Sequence, residues 1–431
     1  MLSVEDNSCT TPPIHLEASL ADRLAYPATG RYIPLAGVSG ARLIHRSFRV
    51  VKLPTFDQTG GTVPQHVLIT RLSAIGDCIL TLPLAVKIKQ LWPDCRITWA
   101  VDCAAATLLE EHPAIDEVFR VPKDWLAQPK RWHHLRSQLR QRQFDLVFDP
   151  QGLCKSSLLG RLSGSKLRVG FDYSHARELA PWAATHRIRR SARHMVDTYL
   201  QLLSPWCQVA PGSGEFQMPV FEQAAQRVEQ KLQDLELSYL PGLPSAVDAN
   251  SNSTAGEQRW VAMNVGAGWV SRRWSPERYG WIAQQLWQRH SLRSLVLWAG
   301  DEEHAMAEQV VTQSAGAAIA APPTTLRELV EVIRRCELLI TGDTSPLHMA
   351  SAVKAPCVGL FGSTWADEGG PYGNQHIAIQ STILPDKRRR ARRTSTSSIN
   401  AIEISEVLHG CSQLIAKLQS SASQRTRRLA A

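Results

Sequence analysis

Apolar positions in this chain come in short blocks rather than long stripes. "HVLITRL" (66–72), "CRITWAV" (95–101), "FDLVFDP" (144–150), "RWVAMNV" (259–265), "SLVLWAG" (294–300), "ELLITGD" (337–343) and "PCVGLFG" (356–362) are each about a strand long, and longer stretches of helical spacing separate them. Short apolar strands alternating with helices predict parallel sheets built from strand–helix–strand units, an α/β class.

The blocks form two groups. Between them stands "LPGLPSAVDANSNSTAGEQ" (240–258), too rich in Pro, Gly, Ser and Asn to build a core. The pattern predicts an N-terminal Rossmann-like domain at 64–215, a helix and variable linker at 216–256, and a C-terminal Rossmann-like domain at 257–385. Residues 1–63 show no period and many turn formers, and read as a partly ordered extension. Beyond the second domain come a basic loop (386–398), a closing helix (399–418) with Ile402, Val407, Leu408, Leu414, Ile415 and Leu418 at helical spacing, and a basic tail (419–431). Two doubly wound domains facing each other create a cleft at the carboxyl ends of both sheets, where ligands of such folds bind.

Composition narrows the class. A chain of 431 residues exceeds one compact core, and 44% hydrophobic with 20% charged residues is ordinary for a globular protein. The opening "MLSVEDNSCTTPPIHLEASL" lacks the basic flank and apolar run of a secretory signal. No run approaches the roughly 18 uninterrupted apolar residues of a membrane span, so the cytosol is the expected location. Nine cysteines, an odd number without a CxxC, point to reduced thiols rather than a disulfide framework or a zinc site. The net charge of +9 resides in "KRRRARR" (387–393) and "RTRR" (425–428). Such runs read as a solvated loop and tail, the alternative being contact with an anionic membrane or nucleic acid.

The candidate chemistry sits just after strands. "LLITGDTSPLHMASA" (338–352) is a strand, a turn and a helix start, with Thr344 or Ser345 as cap and Pro346 in the first turn. Its backbone N–H groups and dipole suit a phosphate, although a capped core helix explains the same residues. His348 is either a donor to a phosphate oxygen or a satisfied buried histidine. "VGAGWVSRRWSPERYGW" (265–281) places Arg272 and Arg273 in a loop before a helix that begins near Ser275 and Pro276, either as solvated arginines or as partners of a diphosphate. No DxD-like pair follows a strand, so no metal and no cofactor are expected.

In "ITRLSAIGDCILTLP" (69–83), Asp77 opens a helix, where the dipole stabilises a carboxylate. It reads as a helix-capping acid or as a base at the mouth of a cleft. "FDPQGLCKSSLLGRLSGSKLRVGFDYSHARE" (148–178) offers Lys155 and Arg168 to an anionic acceptor, or merely a solvated helix start. In "KDWLAQPKRWHHLRSQLR" (123–140), Lys130 and Arg131 lie among Trp125 and Trp132, a mixture that suits a membrane interface or a phosphorylated lipid head as well as a solvated amphipathic helix.

Taken in order, "RLSAIGDCILTLP", "FDLVFDPQGLCKSSLLGRL", "VGFD", "SRRWSPERY", "LLITGDTSPLHMASA" and "VGLFGSTWADEGGPYG" resemble the ADP-heptose:lipopolysaccharide heptosyltransferases, closest to heptosyltransferase I, over roughly 66–380. The resemblance implies a GT-B fold, two Rossmann-like domains facing a central cleft, with the nucleotide sugar mainly on the second. It implies an inverting, metal-independent transfer of heptose from ADP-L-glycero-D-manno-heptose to Kdo-lipid A by a monomer at the inner face of the cytoplasmic membrane, without nucleic acid. By position, Asp77 matches the family's catalytic base, Asp343 the acid at the sugar and nucleotide site, and Thr344 to His348 the diphosphate-binding helix start. Arg272 stands where the family has a lysine, Ser345 replaces the glycine of "DTG", and Ser363 replaces the proline of "FGPT". A related transferase with another nucleotide sugar is the nearest alternative. A membrane- or nucleic-acid-binding module using the basic tail is an alternative of a different class.

Overall fold

The computed structural model describes residues 63–239, 259–383 and 394–430. Residues 1–62 of the N-terminal extension, the whole 240–258 linker and the "KRRRARR" run lie outside the described residues. Among the described residues, twelve strands form two six-stranded sheets. The first holds β1 (His66–Thr70), β2 (Arg96–Val101), β3 (Glu117–Arg120), β4 (Leu146–Asp149), β5 (Leu167–Phe171) and β6 (His186–Ile188). The second holds β7 (Trp260–Asn264), β8 (Arg293–Leu297), β9 (Ala318–Ala320), β10 (Leu338–Gly342), β11 (Cys357–Phe361) and β12 (Ile377–Gln380). The sheet orders are β3-β2-β1-β4-β5-β6 and β12-β11-β10-β7-β8-β9. Every pairing is parallel.

Each order reverses once, between β1 and β4 and between β7 and β10. Those are the topological switch points beside which doubly wound folds bind ligands, since helices leave the sheet in opposite directions there. The seven blocks expected as strands are strands. Five more strands lie at or near the sheet edges, where shorter or more polar sequence carries less of a periodic signal: of Glu117–Arg120 only Phe119 is buried, and His186–Ile188 is only partly buried.

The central strands β1, β4, β7, β10 and β11 are buried at every position, because helices cover both faces of each sheet. A continuous apolar cluster runs from the first sheet through the Ile75–Leu91 and Ser345–Ala352 helices to one face of the second sheet. The other face of the second sheet is closed by the Pro276–His290 helix and by the final helix, Ile404–Ala430, through Val407, Leu408, Cys411, Leu414 and Ile415. That final helix starts later than the expected 399–418 segment and continues to Ala430, with the short Ser397–Asn400 helix before it.

Polar clasps join the halves away from the cleft. The Glu222–Tyr239 helix packs on the Leu326–Arg335 helix. Buried Glu331 there accepts from the Phe221 N–H at 3.0 Å, and Arg327 donates to the Thr107 carbonyl at 2.7 Å. Tyr372 donates its hydroxyl proton to Asp197 at 2.6 Å.

Candidate active site

The carboxyl ends of β1, β7 and β10 open on one cavity of about 800 Å³. The first half contributes Ser73 to Asp77, Cys103 and Arg177. The second contributes Asn264, Arg272, Glu303, Asp343, Thr344, Ser345 and His348.

Asp77 is the third residue of the Ile75–Leu91 helix, and its Oδ2 accepts from the Ala74 N–H at a long 3.4 Å. Its other oxygen, Oδ1, lies 2.8 Å from Nη2 of Arg71, so the capping and ion-pair contacts together set the orientation of the carboxylate. Arg71 is 4% exposed and Asp77 is 45% exposed, which makes the arginine a buried anchor and the acid the part that meets solvent. Arg71 is itself held by Tyr199, whose hydroxyl accepts at 2.9 Å, and by the Pro150 carbonyl at 3.3 Å. Burial works against its charge, but Asp77, Tyr199, Cys78 and Asp149 together keep it protonated above the ordinary arginine range. Sequence reasoning passed over Arg71. Its only signal was a charged residue directly after an apolar strand.

On the opposite wall, Arg272 follows β7 in a short 3-10 turn, Val270–Arg272. Its guanidinium lies over the Trp269 ring at 4.3 Å, donates to the Asp343 carbonyl at 2.9 Å and stands 3.3 Å from the Asp343 carboxylate. Its buried Nε has no hydrogen-bond partner, which leaves a charge-assisted donor at the site unanswered. Gly342 makes the approach possible: a Cβ there would stand 2.4 Å from the Arg272 carbonyl oxygen. Asn264, at the end of β7, ties the two strand ends together by donating to Thr341 at 3.1 Å and to Thr344 at 3.2 Å.

Thr344 is the N-cap of the Ser345–Ala352 helix, but its hydroxyl serves Asn264 and Thr341 and makes no capping bond. The first turn therefore has no side-chain cap, and its positive end borders the cavity through Ser345 and Pro346. His348 is buried, with Nε2 3.9 Å from Asp343 and Nδ1 without a partner. Burial, foremost, lowers its pKa, against the opposing pull of Asp343 and Asp77. At neutral pH it is thus an uncharged donor or acceptor. Thr364 adds a buried, unpartnered hydroxyl to the lining. Ser363 is buried and accepts from the Ser271 hydroxyl at 2.9 Å, which fastens its loop to the turn that carries Arg272.

The structure thus gathers Asp77, Arg272, Asp343, Thr344, Ser345 and His348 around one cavity. The remaining predicted residues stand elsewhere. Arg273 turns away to pair with Glu302 and donates to the Ala267 carbonyl. Lys155 pairs with Asp102 and braces the start of the Cys154–Leu162 helix. Arg168 lies at the amino end of β5, its guanidinium bound to the Ala183 and Ser165 carbonyls. Lys130 and Arg131 are exposed on the Pro129–Gln141 helix, where Arg131 pairs with Asp124. Glu303, which sequence reasoning also passed over, follows β8 and packs its carboxylate against Gly266; burial raises its pKa. Its signal was again its position beyond a strand's carboxyl end. Among the described residues, no group of three or more His, Cys, Asp or Glu side chains converges as a metal site.

Two parallel six-stranded sheets opening on a shared cleft define an α/β enzyme of GT-B architecture. The chain belongs to glycosyltransferase family 9 (heptosyltransferase), whose model matches residues 132–399. Lipopolysaccharide heptosyltransferase 1 of Pseudomonas aeruginosa is 28% identical over 332 residues, covering 73% of this chain and 84% of that protein. Lipopolysaccharide heptosyltransferase 3 of Escherichia coli is 23% identical over 338 residues, 75% of this chain and 92% of that one. Among solved structures, a glycosyl transferase family 9 protein from Veillonella parvula shares the fold with a TM-score of 0.67 at 21% identity, over 82% of this chain and 98% of that one. E. coli heptosyltransferase WaaC with ADP gives 0.60 at 20% identity, over 82% and 99%. The protein is a glycosyltransferase of the heptosyltransferase family of lipopolysaccharide core biosynthesis.

Proposed function

We propose that the protein is an inverting, metal-independent transferase that moves heptose from ADP-L-glycero-D-manno-heptose to Kdo-lipid A, working as a monomer in the cytoplasm against the inner face of the membrane. The observation that carries this reading is the cavity with the Asp77 carboxylate on one wall and Arg272, His348 and a helix N-terminus on the other.

In this mechanism Asp77 takes the proton of the acceptor hydroxyl as that oxygen bonds to the anomeric carbon. The carbon's bond to the diphosphate oxygen breaks in the same displacement, and ADP leaves with the electron pair. One carboxylate serves a single displacement with inversion, whereas a double displacement needs a nucleophile as well. Charge that builds on the leaving phosphate meets Arg272 and the N–H groups that open the Ser345–Ala352 helix, donors already fixed in place before reaction. Asp343 holds Arg272 from both its carbonyl and its carboxylate. E. coli heptosyltransferase WaaC, solved both with ADP and with ADP-2-deoxy-2-fluoro heptose, supports an ADP-linked sugar as donor. Acceptor contacts are assigned to the first half, around Asp77 and Arg177, where the cavity meets solvent.

The test is a transfer assay with purified protein, ADP-heptose and Kdo-lipid A, comparing wild type with Asp77→Asn and Asp77→Ala. Both variants are expected to lose turnover by at least about a hundredfold while donor affinity by calorimetry stays within about twofold. Unchanged turnover removes Asp77 as the base. Absence of transfer by wild type with this pair rejects the substrates.

A further inference from the structure

We propose that the β6 edge of the first sheet is the surface by which this enzyme docks on an anionic lipid bilayer. The proposal rests on the reading of the acceptor as membrane-borne, and it names the face that meets the membrane.

Among the described residues, large apolar side chains are exposed mostly one at a time, with one concentration. Tyr173, Leu179 and Trp182 are 62%, 68% and 55% exposed, within ten residues of one another in the β5–β6 connection. Trp182 donates its indole N–H to the Tyr173 hydroxyl at 2.8 Å, so the two rings form one outward-facing pair with that donor satisfied. Leu179 lies one turn before Trp182, whose N–H bonds to the Leu179 carbonyl. Rings with an apolar body and a polar edge settle at the headgroup level of a bilayer.

The same segment is basic. Residues 172–193 contain five arginines against Asp172 and Glu178. Both acids are committed to nearby groups, Asp172 to Ser174 and Glu178 to the Cys154 N–H. Arg187 and Arg189 stand exposed on and just beyond β6, the sheet's free edge. Cations beside exposed aromatic and aliphatic side chains are what an anionic lipid surface selects. The Pro129–Gln141 helix is basic too, but of its neighbouring tryptophans Trp125 is fully buried and Trp132 is half-buried against the core, so it offers charge without an insertable ring. No helix among the described residues is long and apolar enough to cross a membrane. Arg177 links the patch to function: it belongs to the same connection and also lines the cavity, so docking by this edge sets the cavity mouth at the lipid surface.

The test is vesicle flotation with the full chain, using phosphatidylethanolamine vesicles with about one third phosphatidylglycerol against pure phosphatidylcholine. Wild type is expected to bind the anionic vesicles and to be released by about 0.5 M salt, where charge is screened within a few ångströms. Leu179→Ser with Trp182→Ser, and separately Arg187→Glu with Arg189→Glu, should each lower partitioning at least about fivefold. Both are expected to keep the wild-type melting temperature and transfer to a soluble Kdo acceptor. Arg136→Glu with Arg140→Glu, on the Pro129–Gln141 helix, is the comparison. The proposal is overturned if the Leu179/Trp182 variant floats as wild type does, or if the helix variant carries the loss instead. It also falls if wild type binds both vesicles alike, or if the patch variants turn a dimer into a monomer by sedimentation. Vesicle binding that behaves as described, with no heptose transfer by wild type to any acceptor, defeats the functional reading and leaves the docking surface standing.

Discussion

Gly76 and His348 meet across the two halves so closely that a Cβ on Gly76 would stand 2.6 Å from Cδ2 of the histidine ring. The helix that begins with the proposed base and the helix that begins with the proposed phosphate site thus touch at their first turns. A methyl group there forces the buried ring aside. Gly76→Ala is expected to cost about 1–3 kcal/mol of stability and to weaken donor binding. In the background of His348→Ala the ring is gone and the added methyl has room, so the double variant should be more stable than the sum of the single losses implies. Thermal denaturation of the four proteins measures this, and strictly additive losses would sink it.

Arg71 reaches Asp77 and Tyr199 through Nη2 and the Pro150 carbonyl through Nη1, a planar fork that the single ammonium of lysine cannot reproduce. Arg71→Lys is therefore expected to leave Asp77 loosely aimed. Turnover should fall about tenfold or more with the donor KM nearly unchanged, the signature of a positioning residue rather than a binding one. A rise in donor KM at unaltered turnover contradicts this role.

Asp149 is buried at the end of β4, and burial, foremost, lifts its carboxyl from 3.8 to about 6, against the pull of the Gly152 N–H, Ser156, Arg71 and Thr70. A carboxyl raised on folding contributes stability that is full below about 4 and lost as pH rises through about 6. The amount is on the order of 3 kcal/mol. Asp149→Asn keeps the shape and an acceptor oxygen without the titration. Urea unfolding between pH 4 and 7 should then show a flatter pH dependence in the variant, and equal slopes refute the assignment.

Cys103 lines the cavity, and a hydrogen bond from Cys78 lowers its thiol to about 7, with burial opposing and the Ala105 N–H assisting. Burial pushes Cys95, Cys336 and Cys411 up to about 12. At limiting iodoacetamide near neutral pH, Cys103 should be the first of the described cysteines alkylated, and Cys78→Ala should slow it severalfold. Peptide mass mapping reads both. Preferential labelling of Cys95 or Cys411 would refute the ordering.

The legible part of this chain was its strand blocks and the residues directly after them. Seven apolar runs announced seven buried strands, because a parallel strand covered on both faces needs apolar residues at nearly every position. Asp77, Arg272, Asp343 and the Thr344 to His348 stretch were legible for a related reason: in a doubly wound sheet, residues just past the central strands have only the cleft to face. Edge strands such as His186–Ile188 were not legible, since half-exposed positions can be polar without penalty. The Tyr173, Leu179 and Trp182 patch was also invisible, because nothing in three scattered apolar letters says which way they point.

Hydrophobic patterning and the order of motifs were enough for the α/β class, the two sheets and the family. Which charges act together was decided only by tertiary structure. Arg71 and Asp77 are six positions apart, yet their pairing depends on Tyr199 and the Pro150 carbonyl arriving from distant segments. Arg273 and Arg272 are adjacent, yet one pairs with Glu302 outside the cavity lining while the other lies at Asp343 inside it. Lys155 and Arg168 had the right charge in the right part of the sequence, and the fold bound them to Asp102 and to backbone carbonyls. A charge's partner depends on distance and burial, and both are properties of the packed chain.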